Sequence, residues 1–351
     1  MTHYTRKAGV LLLLLTRTVV AACDGYVQSA YSTIYSFQKS PDGGASHAPL
    51  IIGPQGSLFG TTSGGGQYGY GTVFELSNPT GSEWTETVLY SFSGANGQYP
   101  QANVVFGPNG GLYGTTEGGG SGGGVIFELA PPTSPGGSWT ETVLFTFASD
   151  IHAAVNAPVS AVLFGSNGVL YSTAKGSNIY EDGGVVALAP PATPGGTWKE
   201  STIFKFGGMS TEGNSPFAGL VADGGNIYGT NYYRGDEFCG GDGGCGTVYE
   251  LTPPAARGDA WTVTRVWEFV GLSGDGGYPV APVTVGMGSI LYGTTLVGGD
   301  GTVCTWTGLL VVVWCSRSCN RWRREVRGRN RFFTASRALT VTVLIRHLQS
   351  P

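Results

Sequence analysis

The sequence predicts an all-β protein, a β-propeller of about five four-stranded blades. Three observations predict it. A phrase of the type Leu-Tyr-Gly-Thr-Thr occurs five times, at 58–62, 112–116, 170–174, 227–231 and 291–295, with its central residue at 60, 114, 172, 229 and 293. Each period of 54 to 64 residues holds four short apolar bursts bounded by Gly, Pro or Asn-Gly, which is the spacing of strands rather than helices. Gly accounts for 60 of 351 residues and charged residues for only 12%, yet 41% are hydrophobic and 12% aromatic, enough to build a core between many tight turns. The competing architecture is a β-solenoid, whose coils repeat at shorter periods. Four to eight blades close a ring, so five units form a complete propeller or part of a larger one.

At the amino terminus, Arg6 and Lys7 precede an apolar run over 8–15 and small residues over 19–22. This is the plan of a secretory signal over 1–23. Arg17 interrupts the run, which also falls short of the roughly 20 residues that span a bilayer. Val20-Ala21-Ala22-Cys23 resembles a bacterial lipobox, with Cys23 as the lipidated first residue; cleavage near Ala22 without lipid fits equally. The expected location is secreted or at the cell surface of a bacterial envelope, touching membrane only through such an anchor.

The repeat body runs over 31–303. In its second unit the strands are expected at 88–92, 102–106, 112–116 and 125–129. Asn109-Gly110 supplies the tight turn between the middle pair, and Pro131-Pro132 ends the last strand because proline has no donor for a ladder. Trp84, Trp139, Trp198 and Trp261 share one position, with Trp139 starting the next unit. Phe74, Phe127 and Tyr249 share another, where Val186 is the weak copy. Pro49, Pro100, Pro158, Pro216 and Pro279 open strands. Aromatic residues at fixed places in every unit read as core that locks unit to unit. The small residue at 60, 114, 172, 229 and 293 implies close approach by a neighbouring element.

After Val303 the repeat stops inside a strand phrase. Residues 304–351 hold nine Arg, no Lys and one acid, and three of the six cysteines (Cys304, Cys315, Cys319). So abrupt a change reads as a frameshift or gene-model error; a basic membrane-surface anchor or a nucleic-acid arm are the functional alternatives. Over 24–303, by contrast, 22 acidic residues face seven basic ones, a balance of −15. That balance argues against nucleic acid as a partner, since phosphate binding needs clustered Lys or Arg.

The pattern Gly-x-Leu-Tyr-Gly-Thr-Thr, then Gly-Gly, then Gly-Thr-Val-Phe-Glu-Leu resembles the GloVer tandem repeat of bacterial choice-of-anchor surface proteins, also described as extracellular repeat proteins of HAF type. The likeness covers about 31–303. It implies export, a propeller-like body and a carboxy-terminal anchor, and brings no catalytic residues with it. Unit three departs from the pattern at Ser172, Ala174 and Ala187.

Catalytic constellations are weak. His3, His47, His152 and His347 sit in unrelated contexts. Gly119-Gly120-Ser121-Gly122-Gly123 fits G-x-S-x-G only formally, lying in a glycine run without the strand-to-helix setting of a nucleophile elbow. Glu75, Glu128 and Glu250 recur once per unit, so they read as structural hydrogen-bonding groups rather than a catalytic pair. The clearest site candidate is the place where one unit differs. Unit four takes 15 residues from Asn231 to Gly246, against 9, 8 and 9 in units one to three and 6 in unit five. This loop offers Tyr232, Tyr233, Arg234, Asp236, Glu237 and Asp242 as ligand-binding residues. Cys239 and Cys245 can close a small disulfide loop, and Asp236, Glu237 and Asp242 can offer oxygens to Ca²⁺. No other cofactor is expected. The reading is an exported, non-enzymatic repeat protein that binds or scaffolds through an extracellular ligand, glycan or protein. The alternative is a carbohydrate-active propeller enzyme or glycan-binding module, whose non-repeated carboxylates would come from Glu181, Asp182, Asp236 and Glu237.

Overall fold

The computed structural model describes residues 32–38, 40–78, 81, 83–134, 136–149, 155–176, 183–193, 195–207, 212–235, 244–256, 259–269, 271 and 276–297, and the backbone at 321–322. The expected signal region over 1–23, with Cys23, and the rest of the basic tail lie outside them. A compact unit begins at Phe37. It is all-β: among the described residues the helical elements are single 3-10 turns at Pro54–Gly56 and Ser166–Gly168.

Four sheets have four strands each. The first blade comprises Ile51–Ile52, Leu58–Thr62, Thr72–Ser77 and Thr85–Ser91, and the second Val105–Phe106, Leu112–Thr116, Gly122–Ala130 and Thr140–Ala148. The third comprises Leu163–Phe164, Leu170–Ala174, Gly184–Ala189 and Lys199–Lys205, and the fourth Val221–Asp223, Asn226–Asn231, Thr247–Thr252 and Thr262–Glu268. In the fifth, Thr284–Gly286 and Ile290–Tyr292 are joined by Arg321–Trp322 in the third place. Strands pair antiparallel and in chain order throughout these sheets, so each repeat folds as its own meander, the blade of a β-propeller. A solenoid would instead spread each repeat over several sheets.

The unit boundary differs from the sequence-based one by a strand. The strand holding 88–91 pairs with Thr72–Ser77 and so closes the first blade, and Trp139 leads into the strand that closes the second. The physical reason is connection length: a short turn joins Ser77 to Thr85, which favours a hairpin, whereas the longer link from Ser91 to Val105 carries the chain to the next sheet. The opening strands are also shorter than expected, two or three residues, and the prolines stand outside them.

Successive blades share apolar cores, one per interface. Phe59, Val73 and Phe92 of blade one pack with Val104, Leu112, Val125, Phe127 and Leu129 of blade two. Ile126, lying between Val125 and Phe127, points the other way and joins Leu170, Val186 and Leu188 of blade three. This is the period of two expected of a strand buried on both faces. Blades three and four meet through Val185, Phe206, Leu220 and Tyr249, and blades four and five through Tyr228, Val248, Phe269, Val283 and Leu291. Edge-on ring pairs recur at equivalent places: Phe37 with Phe74 at 5.0 Å and Phe92 with Phe127 at 5.2 Å. Phe206 and Tyr249, at 4.9 Å and tilted by 57°, take the same place in the fourth blade. The tryptophans are less central than the sequence suggests: Trp84, Trp139, Trp198 and Trp261 are half-buried, and three of them lie against the margins of these cores.

Hydrogen bonds repeat with the same register. The first threonine after the small residue of the phrase reaches the next blade: Thr61 Oγ1 donates to Ala102 O at 2.8 Å, Thr115 Oγ1 to Ser160 O at 2.8 Å and Thr173 Oγ1 to Ala218 O at 3.1 Å. Each such neutral bond contributes about 1 kcal/mol. Of the repeated glutamates, Glu128 accepts from the turn residue Asn109 at 2.7 Å and Glu250 from Asn226 at the same place in blade four, so two of the three fasten their blade's turn.

The close approach expected at the glycine of the recurring phrase comes chiefly from an aromatic side chain on the neighbouring strand, with an aliphatic residue such as Leu50, Val104 or Leu220 beside it. Gly60 is paired with Phe74, Gly114 with Phe127 and Gly229 with Tyr249, and a Cβ on any of them would stand 2.3–2.7 Å from the partner's ring or its hydroxyl. In blade three both members change together, Ser172 facing Val186.

Candidate functional site

Two positions in each of units two to five meet at one end of the blades. The first follows the recurring proline: Gln101, Val159, Phe217 and Val280. The second follows the Tyr-Gly-Thr-Thr phrase: Glu117, Lys175, Tyr232 and Leu296. A backbone clamp holds them side by side. Tyr99, Ala157, Ser215 and Tyr278, each immediately before a proline, have left-handed φ of 58°, 52°, 56° and 58°. Their carbonyls accept the backbone N–H of Glu117 at 3.2 Å, Lys175 at 3.3 Å, Tyr232 at 3.1 Å and Leu296 at 3.1 Å. A residue before proline ordinarily stays extended. Its recurrence here marks a built turn that delivers the chain to the site.

Both sets, Leu296 excepted, converge on a cavity of about 640 Å³ lined by Gln101, Glu117, Val159, Lys175, Gly176, Ser215, Phe217, Tyr232, Tyr233 and Val280. These come from blades two to five and span 180 positions of sequence, yet they hold equivalent places in their repeats. The volume lies in the range of small-molecule sites, roughly 300–1,000 Å³.

The cavity has two chemically distinct sides. On one, Gln101 Nε2 donates to Glu117 Oε2 at 3.0 Å, and Lys175 Nζ forms an ion pair with Glu117 Oε1. On the other, the Tyr232 ring meets Phe217 edge-on at 5.5 Å and Tyr233 at 4.5 Å, and stacks on Tyr278 at 5.1 Å with 28° between planes. Lys175 Nζ lies 5.9 Å from the Phe217 ring centre and links the two sides. Burial, and then the neighbouring Tyr233 and Tyr278, push the Tyr232 hydroxyl above its ordinary pKa, so it stays a neutral donor. Phe217 and Val280 keep 37% and 48% of their surface exposed at the mouth.

Of the residues expected from the long loop of unit four, Tyr232 and Tyr233 stand on the cavity wall. Arg234 does not line it; its backbone has φ 73° and its carbonyl accepts Gly246 N–H at 2.9 Å, bringing it beside Cys245. Cys245 is buried in the core between blades four and five and is disulfide-bonded. Its candidate partner Cys239 lies outside the described residues, as do Asp236, Glu237 and Asp242, the Ca²⁺ donors, and Glu181 and Asp182. Sequence reasoning misses Gln101, Glu117, Lys175, Phe217 and Val280 because it looks for a loop that differs in length. The signal that finds them is a column that varies inside an otherwise constant phrase, Glu, Lys, Tyr, Leu after the phrase and Gln, Val, Phe, Val after the prolines.

Comparison with solved structures returns proteins of low identity. The chain is similar to a Thermus thermophilus protein described as a putative oxidoreductase (glucose dehydrogenase), at 18% identity over 77% of this chain and 83% of that one, with a TM-score of 0.45. It is similar to the Trypanosoma rangeli sialidase at 15% identity, over 73% of this chain and 45% of that one, TM-score 0.39. It is also similar to a family 43 arabinoxylan arabinofuranohydrolase of Bacillus subtilis at 19% identity, over 71% and 57% of the two chains, TM-score 0.36. No curated protein matches. A family model does match, over residues 24–240, a span that holds the first three blades and most of the cavity wall, and by that match the chain belongs to the Gloeobacter/Verrucomicrobia repeat family.

Proposed function

We propose that this is an exported, non-enzymatic binding protein of the bacterial envelope, and that the cavity where the repeats converge is its binding site. The observation that supports this reading is the contrast within each repeat. Positions that hold blade to blade are near-invariant between units, while the two that face the cavity differ between units, as in a scaffold that presents one composite site. The basic, apolar and small-residue order at 1–23 supports export.

The carbohydrate-active alternative needs two carboxyl groups across one bond. Among the described residues that line the cavity, Glu117 is the one carboxylate, and it is already held by Gln101 and Lys175. A screen of the purified exported chain against a mixed small-molecule panel, read by thermal shift, tests the binding reading. At least one compound should raise the melting temperature of the wild-type chain and leave a Phe217→Ala/Tyr233→Ala double variant unmoved. Stabilisation that survives in the double variant would place binding elsewhere, and turnover of a panel compound would favour the enzyme.

A further inference from the structure

We infer that the cavity is a site for a neutral saccharide, an assignment that rests on the binding function proposed above and names its ligand class. Three features of the wall carry it. The first is charge. Glu117 and Lys175 are the charged groups among the described lining residues and they neutralise each other, so neither an anion nor a cation gains a net partner. A quaternary ammonium group, which aromatic rings otherwise attract, would have to displace Lys175 from the Phe217 ring. The second is the mixture of donors and acceptors at close quarters. With its amide nitrogen given to Glu117, Gln101 has a carbonyl oxygen as its accepting group, while Lys175 has protons beyond the one given to Glu117. Vicinal hydroxyls, each both donor and acceptor, match such a rim; a purely apolar ligand would bury it unsatisfied. The third is the apolar side. Phe217 is 37% exposed beside a half-buried Tyr232, an aromatic surface suited to the C–H face of a sugar ring. One side therefore meets the hydroxyl edge of a pyranose and the other its apolar face.

The test is isothermal titration of the full exported chain with neutral trisaccharides built on glucose, galactose, xylose and N-acetylglucosamine, in parallel with sialyllactose and trigalacturonate. Binding of at least one neutral trisaccharide is expected. Phe217→Ala, which removes the stacking surface, and Gln101→Ala, which removes the polar arm, should each weaken it by about tenfold or more. Each variant also gives up a contact of the free chain, Phe217 with Tyr232 and Gln101 with Glu117, so melting of the free variants is measured alongside to establish that they remain folded. Binding of the acidic sugars alone, binding undiminished in both variants, or no binding by any saccharide would overturn the assignment. If the mixed panel has by then yielded a non-saccharide ligand sensitive to Phe217→Ala/Tyr233→Ala, the saccharide class falls and the binding function stands; if nothing engages the cavity, both fall.

Discussion

Single residues carry two kinds of obligation in this repeat, conformational and protonic. Gly124, in the third strand of blade two, has φ 89°, and a Cβ there would lie 2.2 Å from Thr116 O and 2.9 Å from Pro158 Cδ. Gly71, Gly183 and Gly246 repeat the arrangement against Pro100, Pro216 and Pro279. Gly110 has a similar φ of 78° but open space around it. Gly110→Ala should therefore cost only the left-handed penalty, about 1–2 kcal/mol. Gly124→Ala should cost clearly more, because two fixed groups must move as well. Chemical denaturation of the two variants checks the order, and equal losses would show that the close approach is unimportant. The protonic case is Glu86 and Glu141, at matching places in the closing strands of blades one and two. Both are pushed up to about 7, each chiefly by burial, Glu86 also by the Asp42 carboxylate. Tyr90 OH, 3.5 Å from Glu141, pulls the other way and is outweighed. The folded chain thus keeps protons that the unfolded chain loses above pH 4.5, so this contribution is whole below pH 4.5 and is lost as pH rises through about 7. Both groups are partly exposed, so solvent screening reduces it to about 1 kcal/mol in all. The wild-type melting temperature should accordingly fall by roughly 2–4 °C between pH 5 and pH 8 relative to a Glu86→Gln/Glu141→Gln variant. Parallel pH profiles for the two proteins would contradict it.

At the scale of the element, the blade is a meander whose strands are mostly legible in the sequence and whose grouping is not. The apolar run Val125, Ile126, Phe127 and Leu129 announces a strand and Asn109-Gly110 a turn before it, but that the strand is buried on both faces emerges only from the two cores it joins. Periodicity cannot say where one period begins, so the sequence alone groups Thr140–Ala148 with the next unit; only the pairing with Gly122–Ala130 assigns it back. The glycine and the aromatic of each blade are likewise visible as two separate columns, although they are one contact seen from two strands. Blade three, with Ser172 opposite Val186, is a natural exchange of both. Gly114→Ser alone should lose about 1–3 kcal/mol by overpacking against Phe127. Adding Phe127→Val should recover part of that, measured as a positive coupling in a double-mutant cycle. Additive losses would mean that the ring does not press on the glycine.

At the scale of the whole molecule, the site is a product of repetition. No single unit carries it: Gln101 and Glu117, Lys175, Phe217, and Val280 arrive from four blades, and sequence inspection of any one unit shows only a variable residue. The length of their loop reveals Tyr232 and Tyr233, whereas their polar counterparts in blades two and three show only as a varying column beside a constant phrase. The arrangement also separates propeller from solenoid. Stacked sheets lie about 10 Å apart, so a linear array would place blade five roughly 30 Å from blade two. The most direct measurement is the distance between spin labels at Gln101 and Val280, taken by double electron–electron resonance with any native cysteine that reacts with the label replaced, and compared with the pair Gln101 and Val159 from adjacent blades. Converging blades predict that the two pairs give distributions of similar length; a Gln101–Val280 separation longer by about two further sheet spacings, roughly 20 Å, would contradict both the propeller and the shared site.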